Sequence, residues 1–240
     1  MSAVGYYSNP PILNVTSGGG HVQNIGGLNS YVTGSLHLFS LAIILVSDVH
    51  GYEVPLFRKL ADNIASAGYY VVVPDFFNGD PYNPQNPNRP LSVWLKDHEP
   101  DKGIEAAKPV IEALKQKGAS AVGAAGICWG GRTVTDLGNS GHIQAVALFH
   151  PTYVSVDNIR GVETPIAIVG AGLDTLTPPE LIKQFEQVLA AKPKVDSYVK
   201  IIPNVPHGFT VRYDPKDPKA VKAAEKARKI VLDWFDKHLK

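Results

Sequence analysis

The sole cysteine of the chain, Cys128, sits in Gly126-Ile127-Cys128-Trp129-Gly130, after the apolar run Ala121 to Ala125 and before a stretch able to form a helix. G-x-C-x-G between strand and helix is the pattern of a nucleophile elbow with sulfur in place of oxygen. The flanking glycines leave room at a tight turn where side chains would collide. A helix N-terminus beside the sulfur also favours its anionic form, through oriented N–H groups. The ordinary account of a free cysteine is a small buried hydrophobe; the glycines around this one argue against it.

An elbow nucleophile needs a base and a group that orients the base, following it in the chain order nucleophile, acid, histidine. Asp174 stands in Gly172-Leu173-Asp174-Thr175, after an apolar run ending at Val169, and His207 stands in Val205-Pro206-His207-Gly208, after a run ending at Ile202. Taken singly, one is a turn or cap residue and the other a surface histidine. Three matches in the required order predict a triad in which His207 takes the thiol proton and Asp174 holds the imidazole tautomer. The oxyanion hole is expected from the backbone N–H of Trp129 and that of Val49, in Ser47-Asp48-Val49-His50-Gly51. Asp48 is then expected beside the sulfur, with a helix cap or loop ion pair as the equal alternative. His50, Phe77, Tyr82, His150 and Phe209 are expected at the pocket, with plain packing as the competing account of the aromatic rings and of His150.

Positioning these groups requires strands that end at one rim. Nearly continuous apolar runs at Leu41 to Val46, Tyr69 to Val73, Ala121 to Ala125, Ile143 to Phe149, Pro165 to Val169 and Ser197 to Ile202 read as six parallel strands covered on both faces. Between them, helices are predicted over Pro55 to Ala67, Asp101 to Lys117 (Asp101 as cap, Pro109 kinking or interrupting it), Gly130 to Leu137, Pro178 or Pro179 to Ala190, and Lys216 to the C-terminus. Glycines and short apolar pieces in the first 40 residues suit an antiparallel edge hairpin, and the proline-rich Asn78 to Pro90 a loop. The reading is one α/β domain over residues 1–240, a mostly parallel central sheet with helices on both faces: the α/β-hydrolase fold.

From about Gly19 onward the chain resembles the plant branch of the dienelactone hydrolase family, labelled carboxymethylenebutenolidase-like or endo-1,3;1,4-β-glucanase-like. The resemblance is carried by SDVHGYE, YYVVVPDFFNGDPY, GAAGICWGG and VPHGFTVRY. It implies an α/β-hydrolase acting on strained lactones or esters, with Cys128, Asp174 and His207 as the triad. In bacterial members of that family a glutamate accepts the resting thiol's hydrogen bond, and the aligned residue here is Asp48, one methylene shorter. Bacterial members also grip a substrate carboxylate with two arginines. One of these positions reads Asn78-Gly79-Asp80 here, and Arg212 stands for the other, which points to a less acidic substrate.

Composition narrows the alternatives. At 44% hydrophobic and 19% charged, the chain has apolar surface for a large core and no charge excess of the disordered kind. A net charge of +1 without a basic cluster argues against nucleic acid. A single cysteine excludes an intrachain disulfide and a multi-cysteine zinc site. No cofactor or metal is expected, no membrane partner, a cytoplasmic location, and a monomer or homodimer acting on a small molecule. Two other functions stay open: the same triad catalysing cyclisation, elimination or isomerisation in plant specialised metabolism, or a small-molecule receptor with little turnover. Glycoside cleavage would need two facing carboxyl groups, for which Asp48 and Asp174 form no evident pair in the sequence.

Overall fold

The apolar runs become strands because only a sheet covered on both sides removes such unbroken Val, Ile and Ala stretches from water. In the computed structural model, which describes residue 11, residues 18–35 and residues 40–240, the strands are β1 (His21–Ile25), β2 (Leu28–Thr33), β3 (Leu41–Val46), β4 (Tyr70–Pro74), β5 (Ala121–Ile127), β6 (Ala145–Phe149), β7 (Ile166–Ala171) and β8 (Ser197–Ile202). They form one sheet in the order β1-β2-β4-β3-β5-β6-β7-β8. β3 to β8 are mutually parallel, as expected, whereas β2 pairs antiparallel with both β1 and β4. The expected edge hairpin is thus present as β1 and β2. The remainder of that expectation, on residues 1–10, 12–17 and 36–39, lies outside the described residues.

The helices are α1 (Pro55–Ala65), α2 (Leu91–Asp97), α3 (Gly103–Gln116), α4 (Gly130–Gly138), α5 (Val156–Gly161), α6 (Pro179–Ala190) and α7 (Pro218–Leu239). α1 packs against α7, while α3, α4, α5 and α6 touch in succession, so the sheet is covered on both faces. Two sequence expectations change here. Asp101 does not cap a helix: Pro100–Lys102 forms a separate 3-10 turn, and α3 starts at Gly103 without a side-chain cap. Pro109 does not interrupt α3. Its backbone instead meets the β1–β2 turn, where a Cβ on Gly26 would come within 2.5 Å of the Pro109 carbonyl group. α2 and α5, seven and six residues long, are too short for their periodicity to stand out in the sequence.

Small residues in β5 let the neighbouring helices come close. A Cβ on Gly123 would lie 2.9 Å from Phe235 and Leu239 of α7, and one on Gly126 would lie 2.2 Å from the Gly130 carbonyl of α4. Because β3 to β8 are parallel, the loops after them all open at one edge of the sheet, and those loops carry the residues singled out above. Among the described residues no helix is long and apolar enough to cross a membrane.

Candidate active site

Cys128 follows β5 directly and has φ of 52°, the left-handed conformation that a side-chain-bearing residue adopts only when its surroundings hold it there. Three backbone bonds do so: Cys128 N–H donates to Phe149 O (3.2 Å), and Cys128 O accepts from Gly131 N–H and Thr152 N–H (both 2.9 Å). Gly130 completes the turn. Its N–H donates to Ser47 O at 3.1 Å, and a Cβ there would stand 2.4 Å from Val46 O. The sequence places glycine wherever the turn has no room.

Asp174 lies after β7 and is 3% exposed. Its Oδ1 accepts from the N–H groups of Leu176 (2.8 Å) and Thr177 (3.1 Å), leaving Oδ2 to face His207 Nδ1 at 2.7 Å. On its other side the His207 ring interacts electrostatically with Cys128. Burial alone would push the imidazole's pKa down. The electrostatic pull of Cys128, the hydrogen bond to Asp174 and that carboxylate's charge outweigh it, and His207 is pushed up to about 9. The structure therefore brings together the sulfur, the imidazole and the carboxylate that the sequence places on three separate loops.

The remaining residues sort by what they touch. Val49 and Trp129 are buried, and among the described residues neither backbone N–H donates to another group. Asp48 is buried too, but it does not bond the sulfur. Its Oδ1 accepts from His50 N–H at 2.9 Å and its Oδ2 faces Arg212 Nε at 3.4 Å, with both side chains at most 3% exposed. Arg212 is correspondingly not the open cation expected to grip a substrate carboxylate. Withdrawing it would strand a buried charge, at a cost of about 3–5 kcal/mol. Of the two alternatives for Asp48, the loop ion pair is the one found.

His50 is 8% exposed, and burial lowers its pKa against the opposing pull of Asp48, so the ring is neutral near pH 7. Its Nε2 is buried and has no hydrogen-bond partner among the described residues. His150 is fully buried, and desolvation with the nearby His207 and Arg212 charges keeps it neutral. Its Nε2 bonds Thr210 Oγ1 at 2.7 Å, and its ring stands edge-on to His207 (4.8 Å between centroids) and against Phe209 (5.6 Å). Phe77 packs edge-to-face on Trp129 and on Trp94, each at 4.8 Å, and Tyr82 lies between His50 and Trp94. These rings wall the site.

Two features escaped the sequence reading. Asp80, expected to mark only a lost cation, is held by Arg89 in a bidentate pair (2.6 and 2.8 Å) and by His98 Nε2 (2.7 Å). His98 O accepts from Trp129 Nε1 at 2.9 Å, which ties the 78–90 loop to the elbow. The second is Thr152, whose hydroxyl lies 3.5 Å from the Cys128 sulfur. Its one sequence signal was its place after β6, in His150-Pro151-Thr152. The sulfur itself has no exposed surface, so the site is closed over it. A cavity of about 120 Å³ bounded by Thr210, Lys59, Tyr213 and Arg228 lies elsewhere, between α1 and α7. Among the described residues no cluster of three or more His, Cys, Asp or Glu side chains could hold a metal ion.

Residues 28–239 match the model of the dienelactone hydrolase family. A maize protein named endo-1,3;1,4-beta-D-glucanase is 45% identical over 170 residues, spanning 71% of this chain and 54% of that protein's length. A carboxymethylenebutenolidase homolog of Xenopus tropicalis is 29% identical over 92% of this chain and 91% of its own. Among solved structures, a dienelactone hydrolase from Anabaena variabilis superposes with a TM-score of 0.68 at 14% identity, covering 92% of this chain and 97% of that one.

Proposed function

This chain is an α/β-hydrolase of the dienelactone hydrolase family, and from that premise we propose that it opens a lactone or cleaves a small ester through an acyl-enzyme on Cys128. The observation that carries the proposal is the buried convergence of three groups: Asp174 Oδ2 on His207 Nδ1 at 2.7 Å, with the Cys128 sulfur close enough to act on the same ring. The sulfur attacks the carbonyl carbon, and the resulting oxyanion takes up the free N–H groups of Val49 and Trp129. Collapse breaks the carbon–oxygen bond, and the departing alkoxide receives the proton from His207. Water then attacks the thioester with His207 as base, the acid leaves, and the sulfur regains its charge beside the imidazolium.

His50 contributes to recognition, because its buried, neutral ring keeps one nitrogen for a substrate polar group. Phe77, Tyr82 and Phe209 supply apolar walls. With Arg212 committed to Asp48 and Arg89 to Asp80, the site favours an uncharged ester over a carboxylate-bearing one. The maize relative's name suggests glycoside cleavage, but Asp48 and Asp174 are each buried against a basic partner, which leaves neither to act on a sugar. Cytoplasmic location and a monomeric or dimeric state belong to the same proposal.

Intact-protein mass spectrometry during incubation with a panel of lactones and esters tests it. An acyl mass localised to the Cys128 peptide is the expected result, and turnover without any trappable adduct on sulfur would refute it. A second expectation follows from the basicity of His207. Its raised pKa keeps the proton on the imidazole through neutral pH and up to about 9. With an unactivated alkyl ester, whose alkoxide needs that proton to leave, kcat/KM should fall as pH rises through about 9. A rate that keeps climbing through about pH 10 would show that the proton plays no such part.

A further inference from the structure

We infer that Thr152 is a further catalytic residue, its hydroxyl serving as a hydrogen-bond partner of the Cys128 sulfur. This rests on the proposed reading of Cys128 as nucleophile. Thr152 is 3% exposed, and its Oγ1 lies 3.5 Å from Sγ. Among the described residues that hydroxyl has no other hydrogen-bond partner. A buried hydroxyl without a partner is costly, so one whose single partner is sulfur is held there for the sulfur.

The loop leaves the hydroxyl little choice. His150 (φ 34°) and Tyr153 (φ 60°) both take left-handed backbone conformations around Pro151 and Thr152. Thr152 N–H is tied to Cys128 O at 2.9 Å, and Pro151 O accepts from Thr177 Oγ1 at 2.5 Å. On the other side, a Cβ on Gly131 would come within 2.6 Å of Pro151, so the elbow helix blocks any shift of the loop toward it. Threonine's branched Cβ then limits the hydroxyl to few rotamers.

A hydroxyl donates and accepts. When the sulfur is charged and His207 carries the proton, Thr152 O–H donates to the sulfur. When the sulfur is a thiol, the same oxygen can accept S–H. Acylation turns the sulfur into a thioester, a poor acceptor, and the bond re-forms when the acyl group leaves. Thr152 thus offers the sulfur a neutral partner, while Asp48 faces Arg212. The charged and titratable groups around the sulfur are His207 with Asp174 behind it, His150 packed on His207, and the Asp48–Arg212 pair.

With a single cysteine in the chain, alkylation by iodoacetamide reads Cys128 alone and needs no turnover. Its rate is measured against pH in the parent protein and in Thr152→Val, Thr152→Ala and Thr152→Ser, each checked for an unchanged circular dichroism spectrum. Access to the buried sulfur scales a whole profile, whereas hydrogen bonding moves its midpoint. Loss of one bond to a charged acceptor should shift the Val and Ala midpoints upward by about one pH unit, a rate loss of about tenfold on the acid side. Thr152→Ser should restore the parent profile. Superimposable profiles for all four proteins, or a serine variant that behaves like valine, would overturn the inference. If Thr152→Val does not fold, the alanine and serine variants decide it alone. Failure of the nucleophile reading would show separately, as ester cleavage surviving Cys128→Ala, while these profiles stand or fall on alkylation.

Discussion

Cys128→Ala should lower kcat/KM for a neutral ester by about 10⁴-fold or more and leave thermal stability nearly unchanged. Alanine keeps the Cβ that the elbow already accommodates and removes one buried sulfur, so the turn held by Phe149, Gly131 and Thr152 survives. What disappears is the atom that forms the acyl bond. The free N–H groups of Val49 and Trp129 remain, and oxyanion binding alone sustains a residual rate well above that in water. Steady-state kinetics beside a melting curve separate the two quantities. Activity within a few-fold of the parent would remove the thiol from the mechanism, and would favour a reaction in which His207 acts as a base without covalent chemistry.

Asp174→Asn should cost about 10⁴-fold in kcat while the fold stays intact. The amide oxygen can take over the Oδ1 bonds from the Leu176 and Thr177 N–H groups. The amide nitrogen must then face His207 Nδ1, where it donates instead of accepting and forces the imidazole into the wrong tautomer. Two of the influences that raise the His207 pKa also vanish, its hydrogen bond to Asp174 and the carboxylate's charge. Burial gains weight, and any alkaline limb still measurable should move below about 9. Nearly full activity with an unmoved limb would show that the carboxylate neither orients nor charges the ring. A melting temperature many degrees lower would instead mark Asp174 as chiefly structural.

The closed state of the site gives both experiments a common background. Cys128 is wholly buried and Phe77 packs on the adjacent Trp129, so the proposed reaction requires covering side chains to move before substrate meets the sulfur. The ties from Asp80 to Arg89 and His98, and from His98 to Trp129, are well placed to limit that movement. Surface ion pairs of this kind contribute little to stability.

How much of this was legible beforehand follows the range of the interactions concerned. The six parallel strands, the edge hairpin, the elbow glycines and the order of sulfur, carboxylate and imidazole are written in the sequence. Apolar runs, turn glycines and motif spacing act over a few residues, and parallel crossovers bring the strand ends to one edge. Three features were decided by tertiary structure alone: the pairing of Asp48 with Arg212, the uninterrupted helix through Pro109, and the placement of the Thr152 hydroxyl on the sulfur. Each depends on which side chains meet across distant segments and on how completely water is excluded there. Spacing along a chain does not encode either quantity, because a buried polar atom takes whichever partner the packed loops bring within reach.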